Sequence, residues 1–165
     1  MDEYQERYWQ ELYDLKVHAT YLEIYLLKTE KIDKIVNAFL AVASSGSIAG
    51  WAIWKEYQIV WASIIVLSQF INAIKPFLPF SSRIKTISKA LKEMELLSIE
   101  YEEKWFYIAE GEKTTEETHI LRFEMKKKKL KIMTKYFTVD ILPDNEKYLE
   151  EAENIIQTNI ENYYN

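Results

Sequence analysis

Cysteine is absent from this sequence of 165 residues. The chain therefore has no disulfide framework, no thiolate nucleophile and no cysteine-ligated zinc site. This composition fits a reducing compartment, so we expect the water-exposed parts of the protein to lie in the cytoplasm.

Glycine and proline are scarce, with three residues of each. Because these residues mark turns, long stretches of the sequence carry no turn signal, which favours a few long helices over many short strands. The predicted fold class is all-α. The length suits one architecture, and we expect residues 1–165 to form a single unit.

Charge is nearly absent from the middle of the chain. Twenty uncharged residues run from Ile35 to Trp54, and as a helix they would extend roughly 30 Å, the thickness of a bilayer core. A second uncharged run from Ile59 to Ile74 would cover about 24 Å. The pattern predicts insertion into a lipid bilayer, and the alternative is the buried core hairpin of a soluble protein. The predicted segments are a leading cytoplasmic helix (1–34), a transmembrane hairpin (35–80) and a cytoplasmic helical region (81–165).

Aromatic and basic residues near the two runs predict their orientation. The tryptophans beside the short connection are Trp51, Trp54 and Trp61, and such amphipathic rings favour a membrane interface. Basic residues flank the other ends of the runs, namely Lys28, Lys31, Lys34, Lys75, Arg83, Lys85 and Lys89, against Lys55 alone in the connection. The excess of positive charge predicts that both termini are cytoplasmic.

Small and polar residues within the runs are candidates for helix packing and for a pore. Gly46 and Gly50 form a G-x-x-x-G motif, which lets helix backbones approach closely within the hairpin or between subunits. The second run carries Ser68, Gln69 and Asn72. These side chains are predicted either to line a polar path in an oligomer or to form hydrogen bonds between helices. Neither run has an ionisable residue in its middle, which disfavours an ion-coupled transporter.

Two apolar seams flank the hairpin and predict a packed helical region. The first contains Tyr8, Leu12, Leu15, Ala19, Leu22 and Leu26, and the second contains Ile84, Ile87, Leu91, Met94, Tyr101, Trp105 and Ile108. Their spacings of mainly three, four and seven residues place each set on one face of a helix, so we expect the two seams to pack together.

Two later helices have clear start signals. Gly111 is predicted to end the preceding helix, and Thr114 to Glu117 carry the residues of a capping box for a helix from about Thr115 to Phe137. A last helix is predicted to begin near Asp144.

The strongest basic run is Lys126, Lys127, Lys128 and Lys129. Such a run can bind anionic lipid headgroups. The alternative, which we prefer, is a solvated helix face that pairs with the acidic stretch from Glu93 to Glu117.

Other classes of function have little support in the sequence. The formal net charge of −5 argues against a nucleic-acid partner. The two histidines, His18 and His119, are far apart in the sequence, and a lone helical histidine is more often structural than catalytic. No nucleotide-binding, metalloprotease or hydrolase motif can be read. We therefore predict no enzyme activity, no catalytic or metal-binding residues and no cofactor.

The arrangement of a charged leading helix, a two-span hairpin and a long helical tail resembles the SLATT and related two-transmembrane effector families of prokaryotes. The stretch WFYIAEGEKTTEE from Trp105 to Glu117, an aromatic helix end followed by a capped helix start, is also similar to those families. The resemblance implies a homo-oligomeric effector of the bacterial inner membrane that acts in antiphage defence.

Such an effector perforates or depolarises the membrane when a cytoplasmic sensor or regulatory partner signals. Two other functions are consistent with the sequence. One is a membrane-anchored scaffold whose helical region recruits a cytoplasmic partner without forming a pore, and the other is a soluble helical adaptor.

Overall fold

A computed structural model describes residues 2–53, 57–77, 80–137, 142 and 144–164, and the side chains of residues 44–53, 77, 80, 81, 163 and 164 lie outside the described part. The helices are α1 (Glu3–Ile53), α2 (Gln58–Ile74), α3 (Phe80–Ala109), α4 (Thr115–Tyr136) and α5 (Glu146–Tyr164). A short 3-10 turn, Lys75–Phe77, follows α2. The predicted all-α class is confirmed for the described residues.

Contacts group the chain into two compact units, where the sequence indicated a single unit with three segments. We call the first unit, Met1–Leu26 with Lys85–Asn165, the helical body. We call the second unit, Leu27–Ile84, the hairpin unit. Helix α1 contributes residues to both units, so the first apolar seam and the start of the first uncharged run belong to one helix.

The core of the helical body forms where the two predicted seams meet. Its fully buried members from the seams include Tyr8, Leu12, Leu15, Ile87, Met94, Tyr101 and Ile108. Met125 and Ile132 of α4 complete the same cluster. The predicted packing of the seams is therefore confirmed, and α4 covers a part of the core that the seams alone would leave open.

An aromatic group joins α1 to α3 inside this core. The ring of Trp105 stacks on Tyr8 at a centroid distance of 5.9 Å and lies 5.1 Å from the ring of Trp9. The Tyr8 hydroxyl donates a hydrogen bond of 2.9 Å to the backbone oxygen of Tyr101. Large rings with a satisfied hydroxyl contribute both buried apolar area and a fixed orientation to the core.

The caps predicted from the sequence are present. Gly111 has a φ of 76°, and the Gly111 and Glu112 amides bond to the Ile108 and Tyr107 carbonyl oxygens, which closes α3 as a Schellman motif. At α4, the Glu117 amide donates to the Thr114 hydroxyl at 3.2 Å, and the Thr114 amide donates to the Glu117 carboxylate at 2.8 Å. This reciprocal pair is the predicted capping box.

A second, smaller cluster holds α5 against α1. Its buried members are Val17 and Ile24 of α1 with Ala152 and Ile156 of α5. The Asn145 side chain caps α5 by accepting a hydrogen bond from the Tyr148 amide at 3.3 Å. Helix α5 thus begins at Glu146, close to the predicted start at Asp144.

Burial of the Tyr8 phenol makes the helical body sensitive to alkaline pH. Desolvation by burial raises the pKa of Tyr8 far above its ordinary value of 10.0, with smaller contributions from Tyr101 and Glu100. The pKa of Tyr8 is higher in the folded chain than in the unfolded chain. The contribution of the neutral Tyr8 phenol to stability is therefore fully present below about pH 10, and it is lost as the pH rises above that value. We expect the free energy of unfolding to fall above about pH 10 by up to about 1.4 kcal/mol per pH unit from this group.

Tyr8→Phe tests this expectation in guanidinium unfolding experiments at several pH values. The variant should lose about 0.5–1.5 kcal/mol at neutral pH, because one buried hydrogen bond is gone, and should show a shallower alkaline decline. Tyr107→Phe, which removes an exposed phenol of α3, is the control. Equal alkaline slopes for the wild type and Tyr8→Phe would contradict the account.

Candidate functional site

The hairpin unit is the region to which the sequence assigns a function. Its buried side chains within the described part are few, namely Thr29, Leu40 and Ala43 of α1 and Ser68 of α2. The described side chains of the hairpin unit therefore form no apolar core that compares with the core of the helical body.

One outer face of α2 is largely apolar. Ile59, Val66 and Phe70 follow one another at spacings of seven and four residues, which places them on this face of the helix, and they are 83%, 69% and 63% exposed. Val60 and Leu67 lie next to this face and are also exposed. The exposed Ser63 lies on the same face, where its hydroxyl donates a hydrogen bond of 2.8 Å to the Ile59 backbone oxygen. Water is a poor solvent for a largely apolar face of this kind.

Helix α1 also has exposed apolar side chains within the hairpin unit. Leu27, Ile35 and Val42, at spacings of eight and seven residues, lie on one side of the helix, and all three are exposed. The exposed Lys31 and Lys34 lie on the same side. The outward side of α1 is therefore mixed in polarity, and α2 carries the more apolar surface.

The three predicted pore-lining residues are separated by the structure. Ser68 is buried, and its hydroxyl donates a hydrogen bond of 2.8 Å to the Ile65 backbone oxygen of the same helix. Gln69 and Asn72 are exposed and lie three residues apart, so they share a face of α2. Gln69 and Asn72 are thus placed where a neighbouring molecule or water can reach them, whereas Ser68 is turned into the monomer.

A chain of polar side chains links the two helices of the hairpin unit. The Asn37 amide nitrogen donates to the Asp33 carboxylate at 2.9 Å, and the Lys75 ammonium donates to the Asn37 amide oxygen. The half-buried Asn37 thus has a hydrogen-bond partner for both the nitrogen and the oxygen of its side-chain amide. The sequence indicated only that Asp33 and Asn37 are four residues apart, and it gave no signal that Lys75 joins them.

Several predicted site residues fall on the part of the chain whose side chains are outside the description. Gly46, Gly50 and Trp51 lie within the bounds of α1, but their surroundings belong to that part, and Trp54 lies wholly outside the described residues. Trp61 is on α2 and is half-buried. The helix-packing role of the two glycines and the interfacial role of the tryptophans stay predictions.

Over the residues described here, no helix combines the length and the apolar character needed to cross a membrane.

Comparisons of this chain with protein families, curated proteins and solved structures gave no match.

The basic run of α4 is largely engaged with carboxylates and polar groups of the helical body. Lys126 lies 3.0 Å from the Glu11 carboxylate, and Lys128 donates to Glu100 at 2.7 Å. The Lys129 ammonium nitrogen is 3.2 Å from Nδ1 of His18, and burial lowers the pKa of Lys129. Lys127 is exposed.

Two glutamates of α3 receive the basic side chains of α4. Hydrogen bonds from Lys104 and Lys128 lower the pKa of Glu100, and hydrogen bonds from Lys135 and Tyr136 lower the pKa of Glu93. Within the basic run, Lys128 pairs with Glu100 of the acidic stretch, as the sequence interpretation expected, whereas Lys126 pairs with Glu11 of α1. A role of Lys126 to Lys129 at lipid headgroups stays a prediction, and it would have to compete with these contacts.

Proposed function

We propose that this chain is a membrane effector: the hairpin unit inserts into the lipid bilayer, and the helical body receives the activating signal. The observation that carries the proposal is the outward-facing apolar surface of α2, above all Ile59, Val66 and Phe70. Transfer of such side chains from water to an apolar phase is worth about 1.5–3 kcal/mol each. A bilayer is a phase that covers both helices at once.

The length of the hairpin limits how it can sit in a membrane. The 17 residues of α2 extend about 25 Å as a helix, which is less than the roughly 30 Å of a bilayer core. Local thinning of the bilayer or extension of Lys75 towards the headgroups can compensate. The first uncharged run continues to Trp54 in the sequence, and its twenty residues would extend roughly 30 Å as a helix, which matches a bilayer core.

The effector role follows from the resemblance and from the polar residues of α2. Gln69 and Asn72 are exposed amides in the second half of a largely apolar helix, and an oligomer in which they face one another would contain a polar path. We propose that subunits of this chain assemble in the bacterial inner membrane with both termini cytoplasmic. A cytoplasmic sensor or regulatory protein then triggers perforation or depolarisation, as in antiphage defence.

A membrane-anchored scaffold is the second candidate, and one feature of the helical body favours it. Leu96, Ile99 and Phe106 of α3 are exposed, and their spacings of three and seven residues place them near one side of the helix. An exposed apolar row on the body fits a surface that holds a protein partner. A scaffold would insert its hairpin into the membrane but would not make it permeable.

Insertion can be measured with single cysteines, because the natural chain has none. Val66→Cys on α2 and Leu130→Cys on α4 form a matched pair, since the native side chains are 69% and 67% exposed. Each variant is reconstituted in vesicles and treated with a water-soluble maleimide. We expect the cysteine at position 130 to react rapidly and the cysteine at position 66 to be protected until detergent is added, because lipid excludes the reagent.

The same pair in detergent-free solution without vesicles shows whether protection needs lipid. Protection at position 66 without lipid would point to coverage by another copy of the chain. Equal labelling of both positions in vesicles would contradict membrane insertion and would leave the soluble adaptor as the better description.

A further inference from the structure

The helical body contains a cavity of about 570 Å³ between α1, the end of α4 and the start of α5. This volume lies within the range of small-molecule sites in proteins, roughly 300–1,000 Å³. The cavity is formed by residues of one compact unit, so it does not depend on the hairpin unit.

Most of the cavity wall is apolar. Leu22 of α1, Met133 of α4, Phe137 directly after α4 and Leu149 of α5 contribute hydrocarbon or aromatic surface. Tyr21 adds a second ring, and its hydroxyl accepts a hydrogen bond of 3.3 Å from the Asn145 amide. Tyr21 is half-buried, so this side of the cavity is partly shielded from water, and burial raises the pKa of Tyr21. An occupant therefore needs an apolar or aromatic portion.

The charged groups of the wall have one sign. Among the described residues that line the cavity, Asp144 and Glu146 carry carboxylates and none is lysine or arginine. His18 also lines the cavity. Lys129, which does not line the cavity, contacts His18. The negative charges of Glu11 and Asp14 partly neutralise the positive charge of Lys129. The field at the cavity thus favours a cation and disfavours a phosphate or another anion.

The rings of the wall and the Thr134 hydroxyl fit the same kind of occupant. Tyr21 and Phe137 contribute aromatic rings to the wall, and the face of an aromatic ring attracts an organic cation through its quadrupole. The Thr134 hydroxyl donates to the Leu130 carbonyl at 2.8 Å, so towards the cavity it can only accept hydrogen bonds. Carboxylates and an accepting hydroxyl match a ligand that donates hydrogen bonds or carries positive charge.

We propose that this cavity binds a small organic cation with an apolar or aromatic body, such as an aryl amine or a quaternary ammonium compound. The apolar portion lies against Leu22, Met133 and Phe137, and the cationic group lies near Asp144 and Glu146. The residues come from three helices of the body, so an occupant contacts α1, α4 and α5 at once.

A fluorescent styryl-N-methylpyridinium cation tests the site on the full chain in a nonionic detergent, with fluorescence anisotropy as the readout. Its uncharged styrylpyridine analogue has nearly the same shape and lacks the fixed charge. We expect the cation to bind about three- to thirtyfold more tightly than the analogue, the effect of two partly exposed carboxylates. The advantage should shrink at high salt, since exposed charges are screened.

Two pairs of variants locate the binding. Asp144→Asn with Glu146→Gln should remove the advantage of the cation, whereas Glu150→Gln with Glu153→Gln makes the same change in net charge at exposed positions outside the cavity wall. Thr134→Trp should block the cavity, and Thr158→Trp is its control, because both threonines are exposed and bond to the carbonyl four residues earlier.

Equal affinities for the cation and its analogue would overturn the proposal. So would unchanged binding in Asp144→Asn with Glu146→Gln or in Thr134→Trp, provided that circular dichroism shows intact helices. Since the assay needs no vesicle and no insertion, its outcome is independent of the proposed membrane function.

Discussion

Leu15→Ala is expected to lower the free energy of unfolding of the helical body by about 2–5 kcal/mol. Leu15 is fully buried in the main core cluster. Truncation to alanine removes the transfer free energy of three carbon atoms and leaves a cavity that rigid helices fill only in part. A loss of this size is a large share of the total stability of an ordinary domain, which is about 5–15 kcal/mol.

The matched control is Leu130→Ala, the same chemical change at an exposed position of α4. It should alter stability by less than about 0.5 kcal/mol, as expected for a surface substitution. Urea unfolding followed by the circular dichroism of the helices measures both variants. If the two substitutions had equal effects, the assignment of Leu15 to the core would be wrong.

The sequence predicted the start of α4 and the packing of the seams because both signals are local. Thr114 and Glu117 are three residues apart, and their capping geometry needs no information about the rest of the fold. A heptad spacing likewise fixes which residues share a helix face. Gly111 ends α3 for a similar reason, since its positive φ favours glycine.

The second cluster was missed because α1 has two apolar faces. Val17 and Ile24 are seven residues apart and form a second apolar stripe beside the predicted seam. This second stripe packs on Ala152 and Ile156 of α5. The signal was present in the spacing of Val17 and Ile24. The predicted seam of α1 was assigned to one partner helix, and a second apolar face on the same helix, which packs against another partner, was not considered.

The placement of the polar residues of α2 shows a second limit. Ser68 and Asn72 are four residues apart, which predicts a shared face, yet Ser68 is buried and Asn72 is exposed. A spacing of four residues corresponds to a rotation of about 40° around the helix, enough to turn one side chain inward and its neighbour outward at the edge of a contact. Which side chain lies inside this contact depends on the position of the neighbouring helix, and the periodicity of the sequence does not predict that position.

Replacement of two exposed amides of α2, as Gln69→Leu with Asn72→Leu, is expected to abolish leakage from dye-loaded vesicles. The reason is that a path for water and ions at membrane depth needs polar groups. These two amides lie in the second half of a largely apolar helix, whereas the third exposed amide, Gln58, is its first residue. Leucine keeps helix propensity and adds apolar surface, so insertion should persist. Wild-type protein is reconstituted at increasing protein-to-lipid ratios, and dye release is followed at each ratio.

Ser68→Ala is the control for this pair. The Ser68 hydroxyl is buried and bonds to the carbonyl of Ile65 in its own helix, so its removal should leave both insertion and leakage as in the wild type.

Oligomer size, measured by cross-linking in the same vesicles, separates two reasons for lost leakage. A double variant that no longer assembles would assign Gln69 and Asn72 to hydrogen bonds between subunits. Normal assembly with normal leakage would contradict their place in a pore. A wild type that inserts at every ratio without releasing dye would contradict the pore itself and favour the scaffold, in which the hairpin serves only to hold the helical body at the membrane.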